Sequence, residues 1–115
     1  MEIGEEGTVD CSVLECLLDS MKDPVVFVDV QHVIRYTNRA AIAAQEGGAN
    51  LVGRSLFDCH SDASKGTILA NVERLRSGEE EILVSQDSKQ RILMRAVRDE
   101  RGELVGYYER YEPVT

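Results

Sequence analysis

The stretch Pro24–Ala44, PVVFVDVQHVIRYTNRAAIAA, constrains the fold of this chain more than any other. Val25 to Val30 is an apolar, β-branched run. Asp29-Val30-Gln31-His32 supplies a turn, and Val33 to Thr37 returns as a second strand. Asn38 stands before Arg39-Ala40-Ala41-Ile42, where its short polar side chain can accept from the first free N–H groups of a helix. A hairpin that runs straight into a short helix commits the chain to strands and helices packed together.

The rest of the chain supplies the other layers. Cys11 to Lys22 reads as a helix, with Leu14, Leu17, Leu18 and Met21 at i, i+3, i+4 and i+7 forming one apolar stripe. Ser12 with Glu15 three residues later makes a capping box, and Pro24 ends the helix. Past a link of small residues (Gly47-Gly48-Ala49-Asn50), Ser61 to Ser77 reads as a longer helix. Ile68, Val72 and Leu75 share one of its faces, Glu73 and Arg76 lie toward solvent, and Gly78 is placed to cap its end. Three strands follow, Glu80–Gln86, Arg91–Arg98 and Leu104–Glu112, with turns at Gln86-Asp87-Ser88-Lys89 and Asp99-Glu100-Arg101-Gly102. Alternation puts Ile82 and Val84 on one face, and sets Val105, Tyr107, Glu109 and Tyr111 against Leu104, Gly106, Tyr108 and Arg110. The expected architecture is α+β: a five-stranded antiparallel sheet with helices packed on one face and an N-terminal amphipathic helix. Sheet and helices would enclose a pocket, with Phe27, Leu56, Phe57, Ile68 and Met94 as the large residues able to fill it.

This order of elements resembles a PAS domain, a small module that binds a ligand or cofactor, or pairs with another copy, to pass signals. Leu51-Val52-Gly53-Arg54-Ser55-Leu56-Phe57 resembles the family's G-x-S/P-L-F step after its small central helices. The resemblance runs over residues 12–112, leaving 1–11 as a loose acidic lead and 113–115 as a tail. It implies a cytoplasmic bacterial or archaeal sensor of a small molecule or of a haem-bound gas or redox state, acting through dimer or effector contacts. The alternative it leaves open is a ligand-free dimerisation or protein-interaction module. The Leu14/Leu17/Leu18/Met21 stripe serves either packing on the domain's own sheet or a homodimer.

Charge narrows the partners. With 21 acidic and 13 basic residues the net charge is −8. Phosphate backbones need clustered Lys and Arg, so direct nucleic-acid binding is not expected. No run approaches the ~18 apolar residues of a membrane span. The acidic start MEIGEEGTVDC carries no basic, apolar leader. Cys11, Cys16 and Cys59 make an odd count that suits a reducing compartment, and their spacing does not suit zinc.

His60 is the sharpest candidate for chemistry. It opens the long helix, whose N-terminal partial charge disfavours the imidazolium and leaves the neutral ring that can ligate a metal. His60-Ser61-Asp62-Ala63-Ser64 with Arg91-Ile92-Leu93-Met94 resembles the haem-binding PAS domain of carbon-monoxide-sensing LytTR regulators. That resemblance gives His60 the role of axial ligand to the iron of haem b. The family's second axial Met falls on Val84, so Met94 is expected only as a pocket residue, and five-coordinate haem, another ligand or none stay open. The plain alternative for His60 is a helix-entry ring bonded to backbone. His32, in the first hairpin turn, is expected to be solvated. The flavin branch of the fold needs Asn-Cys-Arg-Phe, which is absent: Asn38 is followed directly by Arg39. No GxSxG, HExxH, P-loop or GxGxxG occurs, and no enzyme activity is expected.

Overall fold

The computed structural model describes residues 10–45, 48, 50–59 and 61–114. Its elements are α1 Cys11–Asp19, β1 Val26–Asp29, β2 Ile34–Thr37, α2 Arg39–Ala44, a short 3-10 turn Leu56–Cys59, α3 Asp62–Arg76, β3 Glu81–Gln86, β4 Gln90–Arg98 and β5 Leu104–Pro113. The strands form one five-stranded sheet in the order β2-β1-β5-β4-β3, with every neighbouring pair antiparallel. The expected α+β architecture is therefore the observed one. Strand β5, last in sequence, lies at the centre.

Aspartate opens each hairpin turn. Asp29 Oδ1 accepts from the N–H of Gln31 at 2.8 Å and of Val33 at 3.1 Å. Asp87 Oδ1 accepts from Lys89 and Gln90 at 2.7 and 2.9 Å. Asp99 Oδ1 accepts from Arg101 and Glu103 at 2.9 and 3.0 Å. A carboxylate one atom from the backbone satisfies turn N–H groups that no strand can reach.

The structure corrects several local expectations. The first hairpin is shorter than Val25–Val30 and Val33–Thr37, because Val33 leaves β2 and bridges to Ser55. Around that bridge Ile34 N–H donates to the Arg54 carbonyl and Gly53 N–H to that of Ile34, at 2.9 and 2.7 Å. The Leu51–Phe57 step thus covers the β2 edge, which otherwise presents unpaired backbone groups. A bulge at Val97/Arg98 pairs Arg98 with Leu104 and leaves Val105 out of register. Leu104 consequently packs against the core and Val105 is exposed, the reverse of simple alternation. A second bulge, between Leu83 and Ser85, takes Val84 out of the pairing with β4; Ile82 and Val84 keep the inner face as expected, Ile82 buried in the core and Val84 more exposed beside α3.

The two sheet faces differ. On the inner face Val28, Ile34, Ile82, Met94 and Tyr107 close the core against Val72 and Leu75 of α3. On the outer face Tyr36, Phe27 and Tyr108 stand in one cross-strand row, since Phe27 pairs with both tyrosines. That row continues into charge: Arg95 is opposite Tyr108, and Glu81 is opposite Arg95. Glu81 also meets Arg110 at 2.9 Å, which holds its carboxyl below the usual carboxylate range.

Helix α1 lies over the apolar half of this outer face, and its last residue meets the start of α2, where Arg39 N–H donates to Asp19 Oδ1 at 3.2 Å. The Tyr36 hydroxyl donates to Asp19 at 2.7 Å, and Leu18 and Met21 lie beside Phe27 and Tyr108. The helix is shorter than Cys11–Lys22, and its cap is Asp10, not Ser12. Asp10 accepts from Val13 N–H at 3.0 Å, and Ser12 spends its hydroxyl on Asp10 at 2.7 Å. A carboxylate placed two residues earlier wins over the hydroxyl because it also complements the helix dipole.

Asn38 joins these parts. It caps α2 as expected, accepting from Ala41 N–H at 2.9 Å. The same Oδ1 accepts from Val25 N–H at 2.9 Å, and Nδ2 donates to the carbonyls of Leu18 and Asp23 at 2.9 and 3.0 Å. The residue is fully buried, and all four hydrogen-bonding capacities of its amide are met. Asn38→Ala removes a cap and strands buried backbone groups, so it should cost about 3 kcal/mol in urea unfolding. Asn38→Asp keeps both accepted bonds and loses both donated ones. It should fall between the wild type and Asn38→Ala in stability; a wild-type midpoint for either variant contradicts this account.

Candidate functional site

The inner face holds two connected spaces that share Glu109. One, of about 170 Å³, lies between the sheet and α2. Val28, Ile34, Leu51 and Leu56 form its apolar wall, and Tyr107, Glu109 and Tyr111 face it from β5. The second, of about 350 Å³, is a groove between α3 and the sheet, bordered by Thr67, Ile68, Asn71, Val84, Met94 and again Glu109. Tyr107, Glu109 and Tyr111 share this face because side chains two apart in a strand point the same way. A third space, about 420 Å³ and almost wholly apolar, is the outer cleft between α1 and the sheet.

The electrostatics of the inner site follow from burial. Tyr107 is 1% exposed, and burial followed by the nearby charge of Glu109 pushes its hydroxyl pKa well up. Burial, then Glu109, also raises Tyr111. Both phenols stay neutral across the working pH range. The Tyr111 hydroxyl reaches toward Glu109 Oε2 at 3.5 Å. At the other end Thr37 donates to Asn50 Oδ1 at 3.1 Å, tying the pocket floor to the loop after α2.

His32 departs from expectation. It has φ +65°, a conformation that non-glycine residues adopt uncommonly. Its ring is half-buried, not solvated. Nδ1 lies 3.0 Å from the Tyr107 hydroxyl, and the ring tilts against Phe57 with centroids 4.7 Å apart. The Lys65 ammonium sits over the other part of this cluster, 5.0 Å from the Phe57 centroid. Burial lowers the His32 pKa; Asp29 opposes that, while Arg76 and Lys65 reinforce it. A neutral ring can accept the Tyr107 O–H bond at Nδ1, so the hairpin turn is fastened to the central strand behind the pocket.

Of the other residues singled out in the sequence, His60 lies outside the described residues. Its neighbour Ser61 caps α3, accepting from Ser64 N–H at 3.2 Å. Met94 is a core residue whose side chain also walls the groove. Leu56 and Ile68 face inward as pocket-filling residues should, whereas Phe27 faces the outer cleft and Phe57 stacks on His32. Cys11 and Cys16 are free and exposed. Among the described residues no group of three or more His, Cys, Asp or Glu side chains could hold a metal ion. Among the described residues no helix is long and apolar enough to cross a membrane. The residue that sequence reasoning passed over is Glu109. Its signal was present: an acid flanked by Tyr107 and Tyr111 on the face of a strand that alternation turns inward.

Comparison with known proteins bears on the whole chain. A family model described as PAS domain matches residues 14–115. No curated protein matches the sequence significantly. Among solved structures, the chain is similar to a C-terminal domain from Streptococcus mutans, with TM-score 0.75 and 21% identity over 100% of this chain and 92% of that one. A PAS domain from Colwellia psychrerythraea gives TM-score 0.66 and 14% identity over 90% of this chain and 96% of the other. A sensory box sensor histidine kinase from Vibrio cholerae gives 0.63 and 16%, over 90% of each. At these identities the likeness is one of fold.

The His32 contact has a pH signature. Its pKa in the folded protein lies below the usual value near 6.5. Above that value both states are neutral and the contact contributes fully. As pH falls below it, the unfolded chain takes up a proton that the folded one resists, and stability is lost until the folded pKa is passed. His32→Asn tolerates the positive φ but cannot titrate. Urea unfolding from about pH 7.5 down to about pH 5.5 should show a smaller stability loss in this variant than in the wild type; parallel curves count against the assignment.

Proposed function

The chain belongs to the PAS domain family, and we propose that it is a signalling module that senses a small ligand in its inner pocket. PAS domains are typically sensory and non-enzymatic, and the reading assigns the chain no turnover. One observation carries it: Glu109, a carboxylate between two tyrosines, faces the protein interior from the central strand. Acidic side chains mostly face solvent, and this one borders both inner cavities.

The route from pocket to output runs through β5. Its inner face carries Tyr107, Glu109 and Tyr111, and its outer face carries Tyr108 against the cleft under α1. A ligand that binds two arrangements of β5 unequally shifts their populations, and α1 registers the shift on the opposite face. The proposed receiver is a second copy of the chain. Leu14 and Leu17 on α1 and Met21 just after it are exposed, Leu17 at 60%, and the helix buries no residue of its own. Such a stripe is suited to pairing with its equal across a two-fold axis. Leu17→Glu should convert a dimer to a monomer in sedimentation velocity without lowering the unfolding midpoint; a monomeric wild type at high concentration sinks the dimer.

The ligand proposed is small and organic. The described lining residues do not suit haem. Val84 offers no ligand atom at the place of the family's second axial ligand, which tells against six-coordinate haem, and Met94 is a core residue. Haemin is nevertheless the direct probe of the resemblance to carbon-monoxide sensors. The expected result is no sharp Soret band that depends on His60; a band present in the wild type and lost in His60→Ala would replace this reading with a haem sensor. A screen of small-molecule fragments by NMR should move the amides of Tyr107, Glu109, Tyr111 and Leu51 together. A screen that leaves them unmoved, with a dimer still present, would turn the reading to a ligand-free dimerisation module.

A further inference from the structure

We infer that Asn71, in the groove between α3 and the sheet, recognises a small neutral ligand by its amide edge, a lactam or a primary carboxamide; this rests on the ligand-sensing reading above and names its chemical class. Three polar residues are buried among the described ones: Thr37, Asn38 and Asn71. Thr37 donates to Asn50, and Asn38 meets all four of its hydrogen-bonding capacities. Asn71 is only 8% exposed, yet its side-chain amide has no hydrogen-bond partner among the described residues. Native folds rarely bury an amide without a partner, because the lost hydration is not replaced. An apolar residue at this place would cost the fold no hydrogen bond, so stability does not account for the amide.

The groove gives the missing partner its shape. Ser64, Thr67 and Asn71 recur at i, i+3 and i+7, which sets them in one line along α3 where it borders the groove. Thr67 lies one turn from Asn71, about 6 Å along the axis. Its hydroxyl donates to the Ala63 carbonyl at 3.3 Å, which leaves its lone pairs as acceptors. Ser64 Oγ is paired with Ser61 Oγ at 3.2 Å. Ile68, Val84 and Met94 supply apolar surface for the body of a guest. Asn presents Oδ1 and Nδ2 side by side in one plane, an acceptor next to a donor. A group that answers both at once carries C=O and N–H on the same side, as a lactam or a primary carboxamide does. A carboxylate answers only Nδ2, and an ammonium only Oδ1. No Lys or Arg is among the described residues that line the groove. Glu109 borders it as well and is engaged within the protein. The space of about 350 Å³ is the size of a small-molecule site and takes a single ring of this kind.

Caprolactam and cycloheptanone separate the classes: they share a seven-membered ring and a carbonyl, and only the lactam has the N–H. Binding of each is followed by NMR, with the side-chain NH2 signal of Asn71 read beside the backbone amides. Caprolactam should bind at least about tenfold more tightly than cycloheptanone, although the ketone is the more apolar of the two. It should move the Asn71 side-chain signal together with the amides of Thr67 and Met94. Asn71→Leu should bring the lactam down to the affinity of the ketone, and its urea midpoint should not fall, since no hydrogen bond within the fold is lost. Equal affinities in the wild type, or a lactam preference that survives in Asn71→Leu, overturns the amide recognition and leaves the ligand pocket standing. If Asn71→Leu does not fold, the wild-type NH2 signal decides: a signal that bound lactam leaves unmoved overturns the proposal. No binding of either ring, while other fragments still shift the β5 amides, overturns the amide class alone. No binding of rings or fragments overturns both readings.

Discussion

The amide of Asn38 is the interaction on which the rest of this fold depends. Four segments meet at one buried side chain: the end of α1, the link before β1, the first residue ahead of β1, and the first turn of α2. None of these has a large apolar interface with the others, and α1 buries no residue. An amide suits the position because it offers two donors and two acceptor sites in a fixed plane. Neither Asp, with acceptors only, nor Ser, with one hydroxyl, can satisfy all four partners at once. The same hydrogen bonds that start α2 therefore fix where α1 leaves the sheet, and so which outer surface it covers.

The second organising fact is the central place of β5. It is the last strand made and the one that joins the N-terminal hairpin to the β3–β4 pair. Its two faces carry different chemistry by simple alternation: Tyr107, Glu109 and Tyr111 toward the pocket, Tyr108 and Arg110 toward α1 and the outer ion pairs. Gly106 lets the strand approach closely, since a Cβ there would run into the Val28 carbonyl and the Phe27 ring. A strand so placed is hydrogen-bonded to a neighbour on each side and carries side chains on both faces, which is the arrangement that the proposed route from pocket to α1 requires.

How much of this the sequence disclosed depends on range. Local rules sufficed for the hairpin, for Asn38 as a cap, for the length of α3 and for the three turns, because each is decided within a few residues. The layout of the sheet came from the order of elements and its resemblance to a known family. What escaped was decided across the sheet. The bulge beside Val105 arises from pairing with a partner strand, so alternation alone misassigns Val105 and Leu104. His32 looks like a solvated turn residue until Tyr107, 75 positions later, is brought beside it. The Asp10 cap was a matter of two residues, where a carboxylate outcompeted a nearby hydroxyl. Glu109 was visible as an inward acid, but only the cavities on both sides of it give that placement a meaning.

The central claim is that the pocket face of β5 and helix α1 are coupled through the sheet. Hydrogen exchange read by mass spectrometry on the wild type and Glu109→Gln tests this most directly. The account expects the exchange of α1 amides to change in the variant together with that of β5, although Glu109 lines the opposite face of the sheet. Altered exchange confined to β4 and β5, with α1 unchanged, would contradict it.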